Sequence, residues 1–165
     1  MVKYRAEEMT MELMQQWRDD PTAVQCAINT KQSRTALPDT PEGNKAWHIN
    51  YEMPAVLSNR SVITVYYETE EADGTQVVFH SSKGNDEIAA SIADIVGSNV
   101  IAENRITMMK YKEFDGGVEI HMMACFDPSG LLPGFVKNRI ASYMGNMGLL
   151  LVDYLMNGTV PEPIF

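Results

Sequence analysis

The chain has 165 residues, with 13 Lys and Arg against 22 Asp and Glu, and so a net charge of −9. That length allows one domain with one core. The acidity excludes the basic face that nucleic acid requires and argues against a broad electrostatic grip on anionic membranes.

Hydrophobic residues make up 45% and charged residues 21%, an ordinary globular composition. The apolar run Leu149 to Val152 is far too short to span a bilayer. The first ten residues, MVKYRAEEMT, lack the apolar stretch of a signal peptide, so a cytoplasmic protein is expected. Cys26 and Cys125 cannot form a disulfide framework, and their apolar neighbours predict buried thiols. Met occurs 12 times; its flexible, polarizable side chain suits a cavity that adapts to apolar ligands as well as a tolerant core.

In chain order, Met9, Leu13, Met14 and Trp17 predict a helix over 5–17 that stops before Asp19-Asp20-Pro21. Period-two alternation predicts strands over 23–30, 46–53, 61–70 and 75–81. Ser33 to Asn44 reads as a loop. Asp73-Gly74 and Asp115-Gly116 mark hairpin turns, the second joining strands over 102–114 and 118–126. Ile88, Ile92, Ile95 and Val96 predict a helical insert over 86–96, ended by Gly97. The C-terminal helix is expected over 132–156, with Pro133 near its start and Asn157-Gly158 at its end. Gly145 and Gly148 within it predict a close approach or a bend.

The expected fold class is α+β, a curved antiparallel sheet of about six strands around a long C-terminal helix, the whole chain forming one domain. Where side chains do not fill the space between sheet and helix, a ligand chamber results.

From Ser58 to Gly158 the sequence resembles the START family, the steroidogenic-acute-regulatory-protein-related lipid-transfer domains. Trp17-Arg18-Asp19 resembles the family's Trp-Asp element, and Ser58-Asn59-Arg60-Ser61-Val62 its Pro-Arg-Asp-Phe-Val strand start. Val100-Ile101-Ala102-Glu103, followed by Asp115-Gly116-Gly117, is similar to its Val-Arg-x-Glu strand and hairpin. Asp127-Pro128-Ser129-Gly130-Leu131-Leu132-Pro133 resembles its Asp-Pro-x-Gly-x-x-Pro element, the most specific match. The resemblance implies a helix-grip fold, one lipid such as a sterol or phospholipid in a tunnel, transient membrane contact and no covalent chemistry or cofactor. It also implies an N-terminally shortened member, whose exposed sheet edge at 23–30 invites a homodimer unless the Ser33 to Asn44 loop shields it. The family's cavity Arg is replaced by Ile101.

Regular strand parity over 101–111 places Ile101, Glu103, Arg105, Thr107 and Met109 on the chamber side, with Lys110 and Lys112 in water. Glu103 and Arg105 then form either a polar recognition point or a solvated pair at the mouth. The tail is expected along Ile63, Tyr67, Met109, Ile120, Met122 and Ala124, beneath Met144, Met147 and Leu151, with the 88–96 insert and the last helix opening at a membrane. His48, His80 and His121 read as solvated outer-face residues without metal-ligand spacing. Lys137 and Arg139 could touch head groups or simply face water. Two alternatives remain: a helix-grip enzyme of the polyketide-cyclase type using Glu103, Tyr67 or Tyr111, and an interaction module without a ligand.

Overall fold

The structure is a computed structural model that describes residues 2–19, 32–82, 88, 90 and 92–162. Its elements are β1 (Val2–Glu7), α1 (Met11–Asp19), β2 (Gln32–Leu37), β3 (Ala46–Tyr51), β4 (Arg60–Glu70), β5 (Gln76–Ser81), α2 (Ala93–Val96), β6 (Val100–Ile101), β7 (Glu103–Phe114), β8 (Gly117–Asp127) and α3 (Gly134–Asn157). The strands form one sheet in the order β1-β8-β7-β5-β4-β3-β2, with antiparallel neighbours throughout. The two-residue β6 pairs parallel with the start of β4.

The sheet is larger than the about six strands expected, because residues 2–7 and 32–37 also pair into it. Residues 2–7 form β1, so the helix expected from residue 5 starts only at Met11. Lys3 and Arg5 point outward to Glu119, at 2.8 and 3.7 Å, while Ala6 is buried. This alternation is masked in the sequence by the helical spacing that follows. The helix itself begins after Thr10, whose hydroxyl accepts the Leu13 N–H at 3.3 Å and so caps the first turn. Residues 32–37, read as loop, are β2, paired with β3 from Gln32↔Tyr51 to Leu37↔Ala46. The edge expected at 23–30 lies outside the described residues; β2 is the edge strand the structure describes there.

Two hairpins form where Asp-Gly predicts them, with Gly74 at φ 81° and Gly116 at φ 95°, conformations that L side chains resist. Pro133 caps α3 at its start and Gly158, in the left-handed region, ends it.

Both faces of the sheet are covered. On the concave face, Ala6, Tyr66, Val78, Met109, Tyr111, Val118 and Ile120 pack with Met9, Met14 and Trp17 and with Leu151 of α3. Each fully buried apolar side chain here contributes about 1.5–3 kcal/mol. On the convex face, Leu37, Ala46, Ile63 and Val65 pack against Ile92 and Val96 of the insert.

Candidate functional site

Between α3 and β8 the packing opens into a groove of about 670 Å³. Met122, Ala124 and Phe126 of β8 line one wall, Ile140, Ala141, Met144 and Gly145 of α3 another, and Pro128 to Gly130 the end. The cause lies in α3. Val136 near its start and Met147, Gly148 and Leu151 toward its end are buried, whereas the turns between are not. The helix touches the sheet closely at Gly148, where an added methyl would stand 2.5 Å from the Tyr4 ring. The Tyr4 hydroxyl donates to the Gly145 carbonyl at 3.0 Å.

Arg60 holds the end of the groove. It is 3% exposed, and its guanidinium donates to the carbonyls of Pro128 (3.1 Å), Ser129 (3.3 Å) and Ser58. Burial lowers its pKa. The loop it grips includes Ser129 at φ 54° and Gly130 at φ 69°. Beyond it, Leu131 is 98% exposed and Phe135, one helical turn on, is 66% exposed.

The sequence-predicted residues separate into distinct groups. Met122, Ala124, Met144 and Arg105 line the groove. Thr107, Met109, Ile120, Met147 and Leu151 are buried core on the same side. Ile63 and Tyr67 lie on the opposite, convex face: Ile63 packs with Ile92 and Val96, and Tyr67 stacks on Phe79 at 4.8 Å. Among the described residues, the insert's Ile88, Ile92 and Val96 pack on the face away from α3.

Ile101, Glu103 and Arg105 do not share a side with Thr107 and Met109. The β7–β8 register jumps between Asn104↔Phe126 and Ile106↔Cys125, leaving Arg105 as the extra residue of a bulge. Parity reverses there. Ala102 and Asn104 are buried, while Ile101 and Arg105 are exposed and Glu103 is half-exposed. The Glu103–Arg105 pair does form, at 3.3 Å, with Asp127 at 3.1 Å from the same guanidinium, but it sits at the solvated rim. Cys125 is exposed, not buried, because the same register turns it outward.

The histidines also depart from expectation. His48 is 5% exposed and shares a hydrogen bond of 3.0 Å with Ser61; burial lowers its pKa. His121 is half-buried beside Glu119 at 2.8 Å. His80 belongs to the concave face. It stacks on Tyr66 at 4.7 Å, and its Nδ1 lies 3.0 Å from Asn104 Nδ2 and 3.4 Å from the Thr64 hydroxyl. Thr107 donates to Asn104 Oδ1 at 3.0 Å, and Arg34 donates to the Tyr66 hydroxyl. Burial, and then the Arg34 charge, push the His80 pKa down to about 3. Yet His80 keeps part of its surface accessible. Sequence reading missed this cluster of Arg34, Thr64, Tyr66, His80 and Asn104. Among the described residues, no group of three or more His, Cys, Asp or Glu could hold a metal ion.

A long terminal helix lying across a curved antiparallel sheet is the arrangement found in solved lipid-transfer domains. Human STARD10 superposes with a TM-score of 0.68 at 13% identity, over 93% of this chain and 61% of that one. The chain has the START helix-grip fold. Human StAR-related lipid transfer protein 5 matches at TM-score 0.69 and 12% identity, over 94% of this chain and 74% of that one. A STAR-related lipid transfer protein from Xanthomonas axonopodis matches at 0.65 and 14%, over 94% and 84%. The chain thus spans about three-fifths of the STARD10 chain. No family model matches the sequence, and no curated protein sequence matches it. Among the described residues, no helix of this START fold is long and apolar enough to cross a membrane.

Proposed function

We propose that the chain binds a single lipid between α3 and the concave sheet face and exchanges it at membranes without covalent chemistry. The observation that carries this reading is the groove of about 670 Å³ beneath the middle turns of α3, within the volume range of small-molecule sites. Its walls of Met122, Ala124, Phe126, Ile140 and Met144 are apolar and adaptable. Burial of apolar ligand surface at about 25 cal/mol per Å² supplies the affinity. The START fold, shared with proteins named for lipid transfer, supports the same reading.

Transient membrane contact belongs to this proposal. Leu131 and Phe135 are exposed, following in sequence the Pro128 to Gly130 end of the groove, and Lys137 lines it, which suits an anionic lipid surface despite the net charge of −9. The cyclase alternative loses two of its three candidate groups, since Glu103 lies at the rim and Tyr67 on the convex face.

Native mass spectrometry of the purified chain, followed by solvent extraction, tests the proposal. One bound lipid per chain is the expected result. A chain that acquires no lipid from vesicles of mixed composition would overturn it.

A further inference from the structure

We propose that the chain forms a homodimer in which β1 pairs antiparallel with β1 of a second copy, about a two-fold axis at Arg5, so that two sheets become one. The inference goes beyond lipid binding and does not depend on a bound lipid.

The argument begins with the ladder. β1 stands at one end of the strand order, and among the described residues no strand pairs with its other side. The phase of its bonding to β8 follows from one contact. The Glu8 N–H donates to the Gly116 carbonyl at 2.9 Å, and Glu8 and Gly116 continue the register Glu7↔Gly117. Opposite pairs alternate between bonded and unbonded along an antiparallel ladder. With Glu8 bonded, Ala6, Tyr4 and Val2 are bonded to β8 as well, while Lys3, Arg5 and Glu7 turn their N–H and C=O groups away from it. These backbone groups line an open edge, a template for another strand.

The second step is the register. Residues directly opposite in an antiparallel pair project to the same face. In β1, Lys3, Arg5 and Glu7 are exposed, whereas Ala6 is buried and Tyr4 half-buried. Exposed residues of one copy must therefore meet exposed residues of the other. Centring the two-fold axis on Tyr4 sets Lys3 opposite the partner's Arg5, and Arg5 opposite the partner's Lys3, a repeated like-charge clash. Centring it on Ala6 carries Lys3 past the strand's end to the partner's Met9, which is 2% exposed and follows the φ 65° break at Glu8. Centring it on Arg5 sets Lys3 opposite the partner's Glu7 and Glu7 opposite the partner's Lys3, and satisfies every open backbone group of Lys3, Arg5 and Glu7 in both copies.

The third step is charge. Glu7 has no cation partner among the described residues. The Lys3 ammonium carries three donors, of which the Glu119 carboxylate at 2.8 Å engages one. Two Lys3–Glu7 pairs thus form across the axis without breaking an existing one. Arg5 meets its own counterpart at the axis, but its guanidinium is held within its own copy, 3.7 Å from Glu119 and 4.4 Å above the Phe114 ring. An edge of one sign repels a second copy; this edge, with cation and carboxylate four residues apart, is complementary to itself. The contact is isologous and uses up the β1 edge of both copies, so it closes at two.

The experiment is sedimentation velocity of the full chain at physiological ionic strength. A dimer is expected at about 100 µM. Lys3→Glu and Glu7→Lys each set like charges opposite one another and should weaken the dimer at least about tenfold. An equimolar mixture of the two variants restores opposite charges at both pairs and should dimerise again, which also shows that both are folded. Glu7→Gln, which removes only the charge, should weaken the dimer in the same direction. A wild type that stays monomeric overturns the inference, whether its β1 amides exchange freely or are protected by another segment of the chain. A dimer that neither charge reversal weakens, or a mixture that stays monomeric, also overturns it, by placing the contact in another register or on another surface.

Discussion

Asn104 Nδ2 lies 3.0 Å from His80 Nδ1 and 3.4 Å from the His80 carbonyl oxygen, so one amide group grips both ring and backbone of its neighbour. It does so only because Arg105 is extruded as a bulge. In regular register Arg105 would occupy the concave face and Asn104 the outer one.

Replacing Ala124 with Trp fills the groove from its sheet wall. The side chain is half-buried and borders open space, so Ala124→Trp should fold with little change in melting temperature. Lipid loading should fall at least tenfold by native mass spectrometry. Undiminished loading would place the ligand elsewhere.

Gly145 and Gly148, two of the three glycines of α3, should respond oppositely to alanine. Nothing lies within 4 Å of a methyl at Gly145, so Gly145→Ala gains about 0.5–1 kcal/mol from helix propensity. At Gly148 the methyl meets Tyr4 Cε2 at 2.5 Å, Tyr4 Cδ2 at 3.2 Å and Met122 Sδ at 3.4 Å. Overpacking of this kind costs about 1–3 kcal/mol and outweighs the propensity gain. Urea midpoints check both, and combining Gly148→Ala with Tyr4→Ala should restore part of the loss.

Acid should weaken the fold through His80. Its folded-state pKa of about 3 lies below the ordinary 6.5, so the unfolded chain binds more protons between those values. The stability this confers is complete above pH 6.5 and is lost as pH falls toward 3. Melting temperature should therefore drop more steeply between pH 6.5 and 4 in the wild type than in His80→Phe. Parallel curves would show that His80 titrates normally.

Arg60→Met removes the donor to Ser58, Pro128 and Ser129 carbonyls and should cost about 3 kcal/mol by urea denaturation. Amide hydrogen exchange should rise first in residues 128–132.

The hairpins and the terminal helix are legible in the sequence because Asp73-Gly74, Asp115-Gly116, Pro133 and Gly158 each act through their own backbone preference. The histidines are not, because alternation reveals which side chains share a face but not whether the other face is wet. Along β4, residues 60–66 are all buried, since α2 covers Ile63 and Val65 while the concave core covers Tyr66. His48 and His80 thus sit opposite apolar neighbours without being solvated. Glu103 and Arg105 fail for a different reason: one unpaired residue reverses every side chain before it, and no residue type announces that site.

The grip of Arg60 on the groove mouth uses carbonyl oxygens, which hold no exchangeable proton. The Asp127 carboxylate adds a bond to the same loop, accepting the Ser129 N–H at 2.9 Å. The three Arg60 bonds consequently tie the 128–130 loop and Ser58 to the start of β4 without any acid–base group of their own beyond the guanidinium.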